Sequence, residues 1–89
     1  MMNTRIINLK TNQEDHIPID RGTRWGNPFR IGIDGTRDEV IVMFEDDLRG
    51  NPVLMADLPK LRGQVLGCYC WPKRCHGDVI IKLLKEMEC

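Results

Sequence analysis

Gln64-Val-Leu-Gly-Cys-Tyr-Cys-Trp-Pro-Lys-Arg-Cys-His-Gly-Asp-Val-Ile-Ile-Lys-Leu-Leu-Lys-Glu-Met87 passes through three regimes in turn. Its first residues alternate, with Val65, Gly67 and Tyr69 on one side and Leu66, Cys68 and Cys70 on the other, which is the spacing of a strand. Its last residues, from Asp78, carry Ile80, Leu83, Leu84 and Met87 on one stripe opposite Lys82, Lys85 and Glu86, which is the spacing of a docking helix. A strand that leads through a short loop into an amphipathic helix predicts an α/β (or α+β) fold. We expect a short sheet flanked by two to three helices, in a single domain spanning residues 1–89.

The upstream sequence fits that frame. Arg5-Ile-Ile-Asn-Leu9 is rich in β-branched residues and predicts a first strand, and Ile17-Pro-Ile-Asp20 is expected to pair with it, with Pro18 on an edge because it lacks a donor. Arg21-Gly-Thr-Arg-Trp-Gly-Asn-Pro-Phe-Arg30 reads as a constrained loop, with Trp25 and Phe29 suited to anchor it. Thr36 followed by Glu39 forms a capping box ahead of the stripe Val40, Ile41, Phe44 and Leu48, and Gly50 supplies a stop. Asn51-Pro52 opens a second short helix that should end before Pro59.

Composition narrows the function classes. The chain has 89 residues, thirteen basic against thirteen acidic, so its bulk charge does not draw it to nucleic acid. No apolar run approaches the roughly 20 residues of a membrane-spanning helix, and the amino terminus lacks a secretory pattern, so a cytoplasmic location is expected, without a membrane partner. In a reducing compartment, clustered cysteines favour metal or thiol chemistry over structural disulfides. Arg21, Arg24 and Arg30 nevertheless lie together without an intervening carboxylate, and Lys73 and Arg74 sit inside the cysteine loop, so a local anion site is expected.

The cysteine loop supports two chemistries. Cys68, Cys70, Cys75 and His76 offer three thiolates and an imidazole, a set suited to tetrahedral zinc, although the adjacency of Cys75 and His76 demands a sharp turn. Alternatively Cys75, near a helix amino terminus and beside His76, Arg74 and Lys73, is where a thiol pKa should fall and a nucleophile form. Asp78 would orient His76 or cap the helix.

With these residues in view, the chain resembles the short phage and bacterial proteins grouped as domain of unknown function 4326. The likeness rests on Arg21-Gly-Thr-Arg-Trp-Gly-Asn-Pro-Phe29, Asp34-Gly-Thr-Arg-Asp-Glu39, Leu61-Arg-Gly63 and Leu66-Gly-Cys-Tyr-Cys-Trp-Pro-Lys-Arg-Cys-His-Gly-Asp78, and extends from about Ile6 to Leu84. It implies one composite site, to which Arg21, Trp25, Asn27, Arg37, Cys68, Cys70, Cys75, His76 and Asp78 would contribute. It also implies an intracellular, often virus-encoded protein, which for a phage product means the host cytoplasm.

Two functions follow as expectations. One is a zinc-stabilised module in which Arg21, Arg24, Trp25 and Arg30 meet a nucleotide, nucleic acid or other anionic ligand by charge and stacking. The other is a small enzyme on a nucleotide-like substrate, with Cys75 as nucleophile and His76 as acid or base. Both expect the arginine loop and the cysteine loop to meet in space.

Overall fold

The computed structural model describes residues 4–11, 14–20, 22–69 and 73–87. Three strands, β1 (Arg5–Asn8), β2 (Ile17–Pro18) and β3 (Val65–Cys68), form a sheet of order β1-β3-β2, with both outer strands parallel to β3. The Ile17 segment therefore pairs with β3 and not with β1, as its nearness in sequence had suggested. The reason is burial. Leu66, Gly67 and Cys68 are all buried, so β3 takes the centre, while exposed Pro18, which has no N–H to give, takes an edge.

Register sorts the two faces. Ile6 and Ile17 both align with Leu66 on the face that carries the main core, and Ile7 and Pro18 align with Gly67 on the other. A Cβ on Gly67 would lie 2.5 Å from the His16 ring and 2.7 Å from a Leu9 methyl, so the connection from β1 to β2 crosses closely over the middle of β3. Glycine at this position makes that approach feasible.

The helices form the second layer. In α1 (Arg37–Arg49) the Thr36 hydroxyl accepts from the Glu39 N–H at 3.3 Å and the Glu39 carboxylate accepts from the Thr36 N–H at 2.9 Å, so the capping box is formed. Its buried stripe is Val40, Ile41, Phe44 and Leu48. α2 (Pro52–Asp57) ends before Pro59, as expected, and the chain then tightens into a 3-10 turn, Leu58–Leu61, that buries Leu58 and Leu61. α3 (His76–Met87) begins two residues before the expected Asp78, because the Asp78 carboxylate accepts from the Cys75 N–H at 3.2 Å and holds the first turn.

Ile19, Leu48, Leu58, Leu66, Ile80 and Leu83 are fully buried in one core, each contributing roughly 2 kcal/mol of hydrophobic stabilisation. Among the described residues no helix is long and apolar enough to cross a membrane.

Candidate functional site

A cleft of about 240 Å³ opens where the carboxyl ends of β2 and β3, the first half of α1 and the start of α3 converge. Ligand sites in parallel sheets form at this edge because strand ends leave side chains and helix starts around a common crevice. Here the strand ends supply Asp20, Cys68 and Tyr69, the glycine-punctuated loop supplies Asn27, Phe29 and Ile31, and the turn into α3 supplies Arg74, Cys75 and His76. The arginine-tryptophan loop and the cysteine loop thus share one cleft.

Asn27 pins the loop. Its amide nitrogen donates to the Val40 carbonyl of α1 at 3.1 Å, and its oxygen accepts from the Phe29 N–H at 2.9 Å, which aims Phe29 into the cleft. Arg37, in the first turn of α1, reaches across and donates to the Arg74 carbonyl at 3.0 Å. Arg74 in turn pairs with exposed Asp38 at 2.6 Å. The two arginines therefore lie on one wall, and Arg37 keeps most of its five donors for other uses.

Trp25 and Arg24 are placed elsewhere. Trp25 is 6% exposed within the core, and the Arg24 guanidinium lies 5.4 Å from its ring centroid while pairing with Asp57 at 2.7 Å. Neither lines the cleft, where the aromatic surface comes from half-buried Phe29 and from Tyr69, which is 53% exposed.

The floor holds a thiol pair. Cys68 and Cys75 are both buried, with their sulfurs 3.6 Å apart, a hydrogen-bond distance and not that of a disulfide. The hydrogen bond with Cys68, then burial, pushes the Cys75 thiol well above its ordinary range, and these outweigh the Gly77 N–H that favours the thiolate. The lowering expected from a helix terminus is therefore overridden by a second thiol that the linear sequence did not place against it.

His76 turns into the core. Its ring meets Phe44 edge-on at 5.0 Å, and Nε2 lies 2.5 Å from the Ile19 carbonyl. A carbonyl only accepts, so Nε2 carries the proton in this contact. Asp78 binds the Cys75 N–H, so it caps α3. Among the described residues no three His, Cys, Asp or Glu side chains gather in a metal-ligand arrangement. Arg21 and Cys70 lie outside the described residues.

Asp20, Ile31 and Tyr69 were not singled out from sequence as site residues, although Asp20 and Tyr69 each follow the end of an extended run. In a parallel sheet that position is itself a signal.

Fold and cleft together define a small α/β domain with a parallel sheet and a crevice at its carboxyl edge. The chain belongs to the family described as "Domain of unknown function (DUF4326)", whose model matches residues 3–86. It is 38% identical over 88 residues to the "Uncharacterized 12.4 kDa protein in nrdA-td intergenic region" of Enterobacteria phage T4, covering 93% of this chain and 79% of that protein. No solved structure matches it.

Proposed function

We propose that the domain binds a mononucleotide-like anion in the cleft between α1 and the α3 turn. The observation that carries this reading is that Phe29 and Tyr69, which offer π-surfaces, and Arg37, which offers charge, line one cleft at the carboxyl edge of a parallel sheet. A base stacks on the aromatics and a phosphate takes donors from Arg37. The start of α3 is a weaker anion holder, because Asp78 already supplies negative charge to its first turn.

A small ligand is favoured over a long nucleic acid. A volume of about 240 Å³ falls below the roughly 300–1,000 Å³ common for ligand pockets, which suits one nucleotide and not two. Outside the cleft Arg5, Arg24, Arg49, Lys60 and Lys82 are each paired with a carboxylate, which leaves these five side chains less available to a phosphate backbone.

Calorimetric titration with ribonucleoside monophosphates tests the reading. Arg37→Ala should weaken binding about 10-fold or more, as loss of a charged hydrogen bond does, and Tyr69→Ala should weaken it on the order of 5-fold or more. Arg37 is half-buried and Tyr69 exposed, so both variants should remain folded. Absence of binding to the wild type at millimolar ligand, or indifference to both substitutions, refutes the proposal.

The thiol pair supports zinc as a second reading. Two thiolates on one tetrahedral zinc, with bonds of about 2.3 Å, stand about 3.8 Å apart, close to the 3.6 Å between Cys68 and Cys75, and Cys70 is the nearest further thiol in sequence. Elemental analysis of untagged protein should then find near one zinc per chain. A zinc-free chain that folds normally rejects it. Geometry lends less to the enzyme alternative, since Cys75 is buried against a second thiol that pushes its pKa up, and Nε2 of His76 is held by Ile19.

A further inference from the structure

Asp20 is out of place in a cleft built only for an anion. It follows β2 by two residues, lines the same crevice as Arg37 and Arg74, and is half-buried. Other half-buried carboxylates are neutralised: Glu45 holds Arg49 and Lys82, and Asp57 holds Arg24 and Lys60. Among the described residues Asp20's carboxylate has no hydrogen-bond or ion-pair partner, and neither cleft arginine is paired with it.

A carboxylate opposes any bare anion nearby and is tolerated there when the ligand brings donors for it. The cleft therefore presents cationic donors at one point and a charged acceptor at another, with an aromatic surface beside them. Resting on the nucleotide reading above, we infer that Asp20 selects ribonucleotides by accepting hydrogen bonds from the ribose hydroxyls while Arg37 takes the phosphate. Ribose supplies two adjacent hydroxyls between base and phosphate, and 2′-deoxyribose leaves the carboxylate short of a donor. In parallel-sheet nucleotide folds a carboxylate shortly after a strand end takes the same hydroxyls, for the same reason of reach.

The test is calorimetric titration of wild-type protein and Asp20→Asn with ribonucleoside monophosphates of the four bases, their 2′-deoxy counterparts and inorganic phosphate. In the wild type the best ribonucleotide should bind about 10-fold or more tightly than its deoxy form, the difference a hydrogen bond to a charged group makes. Asp20→Asn, which keeps shape and removes charge, should bring that ratio within about 3-fold and strengthen inorganic phosphate. A residue that merely shapes the loop would move all ligands the same way. Equal binding of ribo and deoxy forms to the wild type, or an unchanged ratio in Asp20→Asn, overturns the inference and leaves the nucleotide reading standing. Binding of no nucleotide at all overturns both.

Discussion

Gly77 is the point at which the fold sets the position of the site, and Gly77→Ala probes it. It is the second residue of α3 and is buried between the helix and the sheet. A Cβ there would lie 2.7 Å from Cδ1 of Ile6, 2.9 Å from Cδ1 of Ile19 and 3.3 Å from Sγ of Cys75. Two of these contacts are shorter than carbon atoms tolerate, so helix and sheet must separate or both isoleucines must change rotamer. Overpacking of this kind costs about 1–3 kcal/mol, against which the better helix propensity of alanine returns less than about 1 kcal/mol in a first turn. The net loss should be about 1–2 kcal/mol, or roughly 4–15 °C in Tm for a domain of this size. Urea and thermal unfolding followed by circular dichroism measure it. The mechanism is checked by Ile6→Val, which deletes the nearest clashing atom. Alone it should cost about 0.5–1.5 kcal/mol, but in the Gly77→Ala background it should be neutral or stabilising. A Gly77→Ala protein as stable as the wild type, or two costs that simply add, refutes the packing argument.

Thr36→Ala should remove the α1 cap and cost about 1 kcal/mol in urea unfolding, and an unchanged midpoint would deny the capping box a stabilising role. Acid should destabilise the fold in a defined window. Hydrogen bonds from Arg49 and then Lys82 hold the Glu45 carboxyl below its ordinary value, as backbone and hydroxyl contacts of Thr36 do for Glu39. A folded-state pKa below the unfolded one gives stability that is present above about pH 4.5 and lost as pH falls through the folded value. Glu45→Gln should flatten the dependence of unfolding midpoint on pH between 5 and about 3, and an unaltered profile would assign acid sensitivity elsewhere. Cys75, buried and with its thiol pKa pushed up by Cys68, should alkylate with iodoacetamide at pH 7.5 at least about 10-fold more slowly in the folded protein than in urea, residue by residue in a mass-spectrometric time course. Equal rates would contradict the buried thiol pair.

What was legible in sequence was what neighbours in the chain decide. The capping box at Thr36 and Glu39, the α1 stripe and the strand–loop–helix order around the cysteines depend on contacts within one or two turns, and each forms. The pairing of Ile17 was not legible, because a two-residue strand carries too little pattern to name its partner. The choice was made by β3, which is distant in sequence and needs cover on both edges. The end of α2 before Pro59 was legible, but the 3-10 segment that follows was not, because a proline that ends an α-helix is acceptable in the first turn of a 3-10 segment, and the burial of Leu58 and Leu61 rewards it.

At the site, residue type was a poorer guide than position. Trp25 was the natural stacking candidate by type, yet a large apolar ring in a domain of 89 residues is needed by the core before a ligand can use it, and the core holds it. Tyr69 has the same kind of ring one residue past β3, where alternation turns it away from the Leu66 and Cys68 face, and it lines the cleft. Asp20 stands in the equivalent place beyond β2. Parallel strands bring their carboxyl ends to one edge, so residues just past those ends converge however far apart they lie in sequence. Here that convergence brings Asp20, which no motif contains, to Tyr69 and Arg74 of the cysteine signature. The cysteine signature therefore supplies the floor of the cleft and, through Tyr69 and Arg74, part of its wall, while Asp20 reaches the same cleft from outside every signature stretch.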